Sequence, residues 1–400
     1  MINLHAPLQS LKEGRWFKLI CGASFQHLPS VRNLVLAYAL AGADCIDVAA
    51  DPAIVTVARE ALAVVPRLHS AAREQGIEIS TRPWLMVSLN DGEDPHFRKA
   101  AFEPTQCPPD CPRPCERICP TQAIVFERPS DGFSGVLDSR CYGCGRCLAV
   151  CPLERIYARS HVTEPAVAVA SVLQMEVDAI EIHTQVGRLD DFRRLWGAIA
   201  PWLSQLKLIA ISCPDGSGLL DYLWSLHDLI SPLPCPLIWQ TDGRPMSGDI
   251  GGGTARASLK LAQKVLAAGP PGHVQLAGGT NARTVPLLKA NGLLSPPASL
   301  SISQLFAQNP PWSPSMLQSE KYVSGVAYGS YARTLLSSIL TQLDDLDPET
   351  AQITVASDRD PQIACLEAHA GLLWEAVHLA RNLISPLKSV ERPQPSSFSG

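Results

Sequence analysis

Residues 16–49 read WFKLICGASFQHLPSVRNLVLAYALAGADCIDVA, and this stretch predicts the fold class. It starts with a short apolar run over Trp16–Cys21, continues with a helical pattern over Ser30–Ala41, and ends with a second apolar run over Cys45–Ala49. Short apolar runs joined by a helical pattern are typical of a parallel β-α-β unit. The stretch therefore predicts an α/β protein built around a parallel sheet.

The same alternation continues along the rest of the chain. Further strands are predicted at Trp84–Leu89, Ala179–His183, Leu206–Ser212, Pro236–Gln240, His273–Ala277 and Val323–Tyr328. The remaining helical patterns fit Pro52–Glu74, Pro165–Val177, Leu189–Ser204, Gly218–Ile230, Thr254–Ala268, Thr284–Asn291 and Tyr331–Leu343. Strands and helices in this order favour a (β/α)8 barrel, and an open doubly wound sheet is the alternative.

Composition and charge narrow the classes of function. The formal net charge is -5, and no run of lysines and arginines stands out, which argues against nucleic acid as a partner. The N-terminus has no charged start followed by an apolar core, so no signal peptide is predicted. The longest apolar stretches are too short for a membrane span. These features predict a cytoplasmic protein, in which cysteines more often hold metals than form disulfides.

Eight of the thirteen cysteines fall between Cys107 and Cys151. The second quartet reads CYGCGRCLAVCP over residues 141–152, which is the C-x2-C-x2-C-x3-C-P spacing of bacterial ferredoxins. Its two glycines let the backbone curl closely around inorganic sulfides and point N–H groups at them. Zinc is the alternative, but zinc sites use two separated cysteine pairs. The triplet followed by Cys-Pro therefore favours an iron–sulfur cluster.

The first quartet reads CPPDCPRPCERICP over residues 107–120, with three residues between successive cysteines. Its prolines predict an extended, winding loop instead of a helix. After each quartet the chain repeats itself, as CPTQAI at residues 119–124 and CPLERI at residues 151–156. This echo predicts a ferredoxin-like module with a pseudo-two-fold axis.

Crossed ligation in such a module predicts two sets of thiols. The first thiol set is Cys107, Cys111, Cys115 and Cys151, and the second thiol set is Cys119, Cys141, Cys144 and Cys147. Both clusters are predicted as [4Fe–4S], although the wide spacing of the first quartet leaves [3Fe–4S] open for the first set. The predicted domains are a first barrel part at 1–100, the iron–sulfur module at 101–160 after the third strand, the rest of the barrel at 161–343, a helical element at 344–386 and a disordered tail at 387–400.

Glycine-rich turns follow the last two predicted barrel strands. They place Gly278, Gly279 and Thr280 after the seventh strand, and Gly329 and Ser330 after the eighth. Such turns are either left-handed turns and helix caps or a site for a phosphate-bearing ligand such as flavin mononucleotide (FMN). His183, Lys18 and Arg244 are the candidates for a base or a cation at this end of the barrel. No acid–base pair is evident, so no catalytic residue is predicted.

The chain resembles the light-dependent period proteins of cyanobacteria over nearly its whole length, up to about residue 386. The resemblance rests on both cysteine quartets, the opening segment at residues 11–55, IEIHTQVGR at 180–188 and QLAGGTNARTV at 275–285. It implies an iron–sulfur protein of circadian clock input that senses the redox state set by photosynthetic electron flow. The implied partners are clock proteins such as CikA and KaiA, and the implied ligands are the eight cysteines.

Two functions remain open from the sequence. The first is a redox sensor whose clusters respond to the ferredoxin or quinone pool and modulate the circadian period. The alternative is a ferredoxin-coupled, flavin-dependent reductase with its active site at the mouth of the barrel, which would be an oxidoreductase. A regulatory role is favoured over an enzymatic one, because no acid–base pair is evident.

Overall fold

The structure is a computed structural model of the 400-residue chain. It describes residues 6–21, 28–79, 82–92, 98–119, 122–127, 132–137, 141, 146–160, 165–244, 251, 253–294, 322–346 and 365–388. Cys144 and most of the predicted tail lie outside these ranges.

Eight parallel strands form a closed barrel at the centre of the molecule. They are β1 (Trp16–Ile20), β2 (Cys45–Ala49), β3 (Trp84–Asn90), β8 (Ala179–His183), β9 (Leu208–Pro214), β10 (Leu237–Asp242), β11 (His273–Ala277) and β12 (Gly325–Tyr328). Neighbours around the barrel follow the order of the chain, and β12 pairs with β1 to close it. The predicted (β/α)8 class is thus confirmed, and the open sheet is not the fold.

Helices alternate with these strands. They are α1 (Ala6–Lys12), α2 (Leu28–Ala41), α3 (Pro52–Val64), α4 (His69–Glu74), α7 (Pro165–Leu173), α8 (Leu189–Ile199), α9 (Leu219–Ile230), α10 (Thr254–Ala268), α11 (Thr284–Ala290), α12 (Ser330–Leu346) and α13 (Ala370–Lys388). Among the described helices, none is both long enough and apolar enough to cross a bilayer.

Two predicted helices are interrupted or ended by 3-10 turns. The pattern over Pro52–Glu74 breaks into α3, a 3-10 turn at Val65–Leu68 and α4. The pattern over Leu189–Ser204 ends as an α-helix at Ile199 and continues as a 3-10 turn. Both breaks lie next to a proline, Pro66 or Pro201, whose ring removes a backbone donor and clashes with the preceding turn.

The main apolar core lies between the outer face of the barrel and the helices. A second, smaller cluster fills the barrel interior at the N-terminal ends of the strands. Trp16 and Trp84 pack edge to face there, with their ring centroids 5.8 Å apart, and Leu11 of α1 is fully buried beside them. Apolar side chains therefore fill the barrel interior at this end.

The cysteine-rich segment lies between β3 and α7. Its elements are β4 (Arg98–Ala101), α5 (Pro114–Ile118), β5 (Ile124–Val125), β6 (Gly135–Val136), α6 (Arg146–Val150) and β7 (Tyr157–Ser160). Strand β4 pairs antiparallel with β7, and β5 pairs antiparallel with β6. The segment is thus a strand, a cysteine-bearing helical turn and a strand, followed by a second copy that pairs back onto the first.

The C-terminal boundaries differ from the prediction. Helix α12 runs three residues past the predicted end of the barrel at 343, to Leu346. Helix α13 continues through Pro386 to Lys388, so the predicted disordered tail does not begin at 387. Leu387 is buried, and Lys388 forms an ion pair with Asp44. These contacts hold the end of the helix against the barrel, and residues 389–400 lie outside the described part.

Candidate metal centre

The two Cys-Pro turns of the module have the same hydrogen bonding. The backbone N–H of Ala123 donates to Cys119 Sγ over 3.2 Å, and that of Arg155 donates to Cys151 Sγ over 3.3 Å. In each turn the donor lies four residues after the cysteine. The sequence echo therefore folds into two equivalent turns, each with an N–H group directed at a cysteine sulfur.

The backbone of these turns is also equivalent. Gln122 has φ of 49° and Glu154 has φ of 50°, and each lies three residues after its cysteine. Left-handed backbone is uncommon for residues with a Cβ atom. Its occurrence at both corresponding positions indicates that each turn is shaped to curl back over its thiol.

The first quartet corrects one prediction. Its prolines predicted an extended loop, but α5 forms a short helical turn that carries Cys115. Pro114 occupies the first turn of this helix, where the missing N–H group would have no helical acceptor and the fixed φ suits the helix. Proline therefore starts this helix instead of preventing it.

The first thiol set is brought together in space. Cys107, Cys111, Cys115 and Cys151 line one cavity, although Cys151 belongs to the other quartet. The cavity is otherwise lined mainly by apolar side chains, including Phe102, Phe126, Pro114, Leu153 and Ile156. This is the crossed arrangement expected for a two-cluster module.

The electrostatics around these thiols are uneven. Burial raises the pKa of Cys115 to about 11, and burial together with the neighbouring Cys111 raises that of Cys107. Burial acts in the same direction on Cys151, but N–H groups of residues 153–156 outweigh it and lower the pKa of this thiol. Three or four thiolates together need a compensating positive charge, which metal ions supply.

The second thiol set is more deeply enclosed where the structure describes it. Cys119, Cys141 and Cys147 are buried in the apolar core of the module. The backbone N–H of Ala100, on β4, donates to Cys141 Sγ over 3.4 Å. The fourth predicted ligand, Cys144, lies outside the described residues.

The described residues have features that suit an iron–sulfur cluster. The first thiol set surrounds a cavity, and N–H groups point at Cys119 and Cys151. Thiolates on separate irons and N–H···S bonds are features of iron–sulfur sites.

The glycine-rich turns meet at the C-terminal end of the barrel. Thr280 Oγ1 donates to the carbonyl oxygen of Ala327 over 2.6 Å, so the turns after β11 and β12 are adjacent, as predicted. Gly278 has φ of 61° and Gly279 has φ of 89°. A Cβ atom on Gly278 would lie 2.7 Å from the carbonyl oxygen of Arg244. Close packing and left-handed backbone therefore account for these glycines.

The hydroxyl groups of both turns bond to the protein itself. Besides the bond from Thr280, the Ser330 hydroxyl accepts from Arg333 Nη2 over 3.1 Å. The same guanidinium donates to the carbonyl oxygen of Ile20 over 3.3 Å. These bonds favour the turn-and-cap interpretation of Gly329 and Ser330, and a phosphate or FMN at this place remains a prediction.

A buried polar network lies inside the barrel, towards the C-terminal ends of the strands. Lys18 is fully buried, pairs with Glu181 and lies 3.5 Å from Asp47. Glu181 also accepts from Gln240 Nε2 over 2.6 Å, and Gln275 Nε2 donates to Gln240 over 2.6 Å. Burial opposes the charge on Lys18, but the two carboxylates outweigh it and raise its pKa. Lys18 therefore remains an ammonium group.

The network ends in a histidine that the sequence interpretation had not paired. His183 Nε2 lies 3.2 Å from Glu181 Oε1, and the His183 side chain is 32% exposed. Burial raises the pKa of Glu181, but Lys18 outweighs this and leaves the pKa below its usual value, so Glu181 is ionised. An imidazole oriented by a carboxylate is a common acid–base arrangement. The sequence signal for this pair was that Glu181 and His183 are two residues apart on one strand, which puts both side chains on the same face.

Comparison with known proteins agrees with the resemblance noted above. The model of the LdpA Fe-S cluster-binding domain matches residues 107–162, and that of the Light dependent period A C-terminal domain matches residues 171–386. Light dependent period A of Synechococcus elongatus is 49% identical over 382 residues, which is 96% of this chain and 94% of that protein. The chain therefore belongs to the light dependent period A family, and residues 107–162 are its Fe–S cluster-binding domain.

Proposed function

We propose that this chain is an iron–sulfur redox sensor that modulates the circadian period in response to light-driven changes in redox state. The observation that carries the proposal is the crossing of the two quartets, which brings Cys151 beside Cys107, Cys111 and Cys115. Crossed ligation is the hallmark of two-cluster ferredoxins. The relative named Light dependent period A supports the link to period control.

The two thiol sets differ in solvent exposure, and we assign them different roles in such a sensor. Cys107, Cys111 and Cys151 are partly exposed, whereas Cys119, Cys141 and Cys147 are buried. Solvent access is one of the factors that set the potential and stability of a cluster. The cluster of the first thiol set therefore exchanges electrons with the cell, and that of the second thiol set is the protected store.

The module also has exposed apolar and aromatic side chains that a partner protein can contact. Phe133, Leu153 and Tyr157 are exposed, with relative accessibilities of 40%, 45% and 58%. Leu153 also lines the cavity of the first thiol set. In our proposal the clock proteins CikA and KaiA dock near this surface, and the ferredoxin or quinone pool sets the state of the clusters.

The first experiment measures the clusters directly. The full chain is purified without oxygen, and iron, acid-labile sulfide and electron paramagnetic resonance (EPR) spectra are recorded. Two [4Fe–4S] clusters give about eight irons per chain, by their stoichiometry. A signal from the oxidised protein would instead indicate [3Fe–4S] at one set. Zinc in place of iron, with no labile sulfide, would overturn the proposal.

Cysteine substitutions then test whether the module, and not a cysteine outside it, binds the iron. Cys151→Ser is expected to lose about half of the iron, because it removes one ligand of the first thiol set. Cys365→Ser, outside the module, is the matched control and is expected to keep all of it. Equal iron in the two variants would contradict crossed ligation.

A test in cells addresses period control. A Synechococcus elongatus strain without its own relative is complemented with the wild-type chain, Cys151→Ser or Cys365→Ser, and the period of a luminescent reporter is followed at several light intensities. The wild-type chain and Cys365→Ser are expected to restore the dependence of period on light, and Cys151→Ser is not. Restoration by Cys151→Ser would remove the first thiol set from the mechanism.

A second candidate function is favoured by the pair of His183 and Glu181. An oriented acid–base group at the C-terminal end of a barrel is where enzymes of this fold place catalysis. In this candidate FMN binds at the turns of Gly278–Thr280 and Gly329–Ser330 and passes electrons between the clusters and a small substrate. Flavin in stoichiometric amount in the anaerobically purified chain would support it, and cluster absorption without flavin would count against it.

A further inference from the structure

A buried ion pair joins the module to the barrel. Lys99 Nζ, on β4 of the module, donates to Asp51 Oδ2 over 3.0 Å. The side chains are only 4% and 2% exposed. Asp51 follows β2 at the mouth end of the barrel, and its other carboxylate oxygen caps α3 by accepting from the N–H of Ala53 over 2.8 Å. The position of the carboxylate is therefore fixed by the barrel, and Lys99 is held against it.

The residue next to Lys99 bonds to a predicted cluster ligand. The N–H of Ala100 donates to Cys141 Sγ, which belongs to the second thiol set. Successive side chains of a strand point to opposite sides. The Ala100 side chain is accordingly buried in the core of the module, and that of Lys99 reaches the barrel. One short strand thus contacts a cluster thiol through its backbone and a barrel carboxylate through the neighbouring side chain.

We propose that the Lys99–Asp51 pair tunes the reduction potential of the cluster of the second thiol set and couples its charge to the mouth of the barrel. The inference rests on the proposed function, because it needs a redox-active cluster at Cys119, Cys141, Cys144 and Cys147. Lys99 and Asp51 are positioning residues here.

The electrostatic argument follows from charge and burial. One electron passes from a one-electron donor, a reduced carrier of the ferredoxin class, to the cluster. The donor is oxidised by one electron and the cluster is reduced by one, with no bond made or broken and no proton moved. The added negative charge attracts the Lys99 ammonium and repels the Asp51 carboxylate. Because both charges are buried, solvent screens them less than it would at the surface.

Linkage makes this coupling reciprocal. If the charge of Lys99 stabilises the reduced cluster, reduction of the cluster must stabilise the charge of Lys99 by the same free energy. Asp51 lies four residues after Asp47, which accepts from Ser88 over 2.7 Å and lies 3.5 Å from Lys18. Strand β2 therefore connects the ion pair to the polar network inside the barrel.

The test is a potentiometric titration of the anaerobically purified full chain with dye mediators, followed by EPR. Lys99→Gln leaves Asp51 unpaired and is expected to move one of the two midpoints to more negative potential. Asp51→Asn, which keeps an N-capping side chain, is expected to move the same midpoint to more positive potential. We expect each change to alter the reduction equilibrium by about threefold to tenfold, or roughly 30–60 mV for a one-electron couple.

Three further variants separate the effect of charge from an effect on folding. Lys99→Arg keeps the charge and is expected to stay near the wild-type midpoint. The double variant with Lys99→Gln and Asp51→Asn removes both charges and is expected to lie between the single variants. Lys388→Gln breaks an ion pair to another buried carboxylate, Asp44, and is the matched control with no expected shift. If Lys99→Gln alone does not fold, the double variant is compared with Asp51→Asn, because the two differ only in the charge of residue 99. A midpoint no more negative in the double variant than in Asp51→Asn overturns the inference.

The outcomes distinguish this inference from the proposed function. Shifts of opposite sign for Lys99→Gln and Asp51→Asn, confined to one midpoint, support the inference. Unchanged midpoints, or shifts of the same sign for Lys99→Gln and Asp51→Asn, overturn it and leave the iron–sulfur sensor intact. A chain without iron and labile sulfide overturns the proposed function and, with it, the inference.

Discussion

The barrel and the iron–sulfur module are stabilised in different ways. The barrel strands are four to seven residues long, and helices bury an extensive apolar core against them. The described module has strands of two to four residues and helical turns of five. Four of the eight residues in its buried cluster are cysteines. The barrel therefore draws its stability from apolar burial, whereas we expect the module, with its small apolar core, to depend on iron–thiolate bonds.

The largest expected effect tests that contrast by removing the metal. Treatment of the anaerobic protein with a chelator and an oxidant is expected to unfold residues 98–160 and leave the barrel folded, because a small domain without its metal cannot offset its conformational entropy. Limited proteolysis with mass spectrometry measures this, as new cleavages within the module. Simultaneous loss of protection in β8–β12 would show that the two regions are not independent.

The second effect weakens the barrel alone. Phe17 is fully buried between Tyr38 and Tyr328, with ring centroids 6.0 and 5.2 Å away. Phe17→Ala is expected to lower the free energy of unfolding of the barrel by about 3–5 kcal/mol, by loss of burial and creation of a cavity. Phe133→Ala, at an exposed phenylalanine of the module, is the matched control with little change. Urea denaturation measures both, and similar losses would argue against a separate apolar core.

The third effect is a pH dependence that belongs to the barrel. Burial lowers the pKa of His273 to about 4, and its Nδ1 lies 2.9 Å from Ser324 Oγ. The unfolded chain binds this proton near pH 6.5, so stability is present above that pH and is lost as pH falls towards 4. Between pH 7 and pH 4.5 we expect His273→Gln to lose about 2 kcal/mol less free energy of unfolding than the wild type. Urea denaturation midpoints of both proteins at the two pH values measure this difference. Equal losses in the two proteins would contradict the prediction.

The smallest effect tests whether surface charges matter to the barrel. Arg193 and Asp190 of α8 form an ion pair over 2.5 Å, but their side chains are 55% and 94% exposed. Arg193→Ala is expected to change the free energy of unfolding by no more than about 0.5 kcal/mol, because solvent screens such pairs. A thermal melt that differs by several degrees would show that surface pairs contribute more than the burial argument allows.

Many barrel strands and helices were predictable because short, local patterns of apolar and polar residues specify them. Strands β2, β8 and β11 have their predicted ends, since each is a short apolar run between polar turns. Helix α10 also begins and ends as predicted. The helix breaks at Pro66 and Pro201 also have a local cause, the proline itself. They were not predicted because the periodic apolar pattern continues on both sides of each proline. The short module strands escaped prediction because two to four residues carry no periodicity.

The candidate site was predictable in part for the same reason. Cysteine spacing alone predicted the two thiol sets, and in the structure the four members of the first thiol set line one cavity. The pairs of Lys18 with Glu181 and of Lys99 with Asp51 could not be read from spacing, because each joins segments far apart in the chain. A lysine in the middle of an apolar strand is a usable signal, since a buried ammonium requires a partner.

Closure of the barrel by β1 and β12 has a consequence for biosynthesis. The ribosome must complete residue 328 before the first strand gains its second neighbour. The module ends at residue 160, when only three of the barrel strands have been made. Because domains tend to fold in the order of synthesis, we expect iron delivery to the nascent chain to precede barrel closure. Ribosome-bound chains halted at residue 200 would then already carry iron.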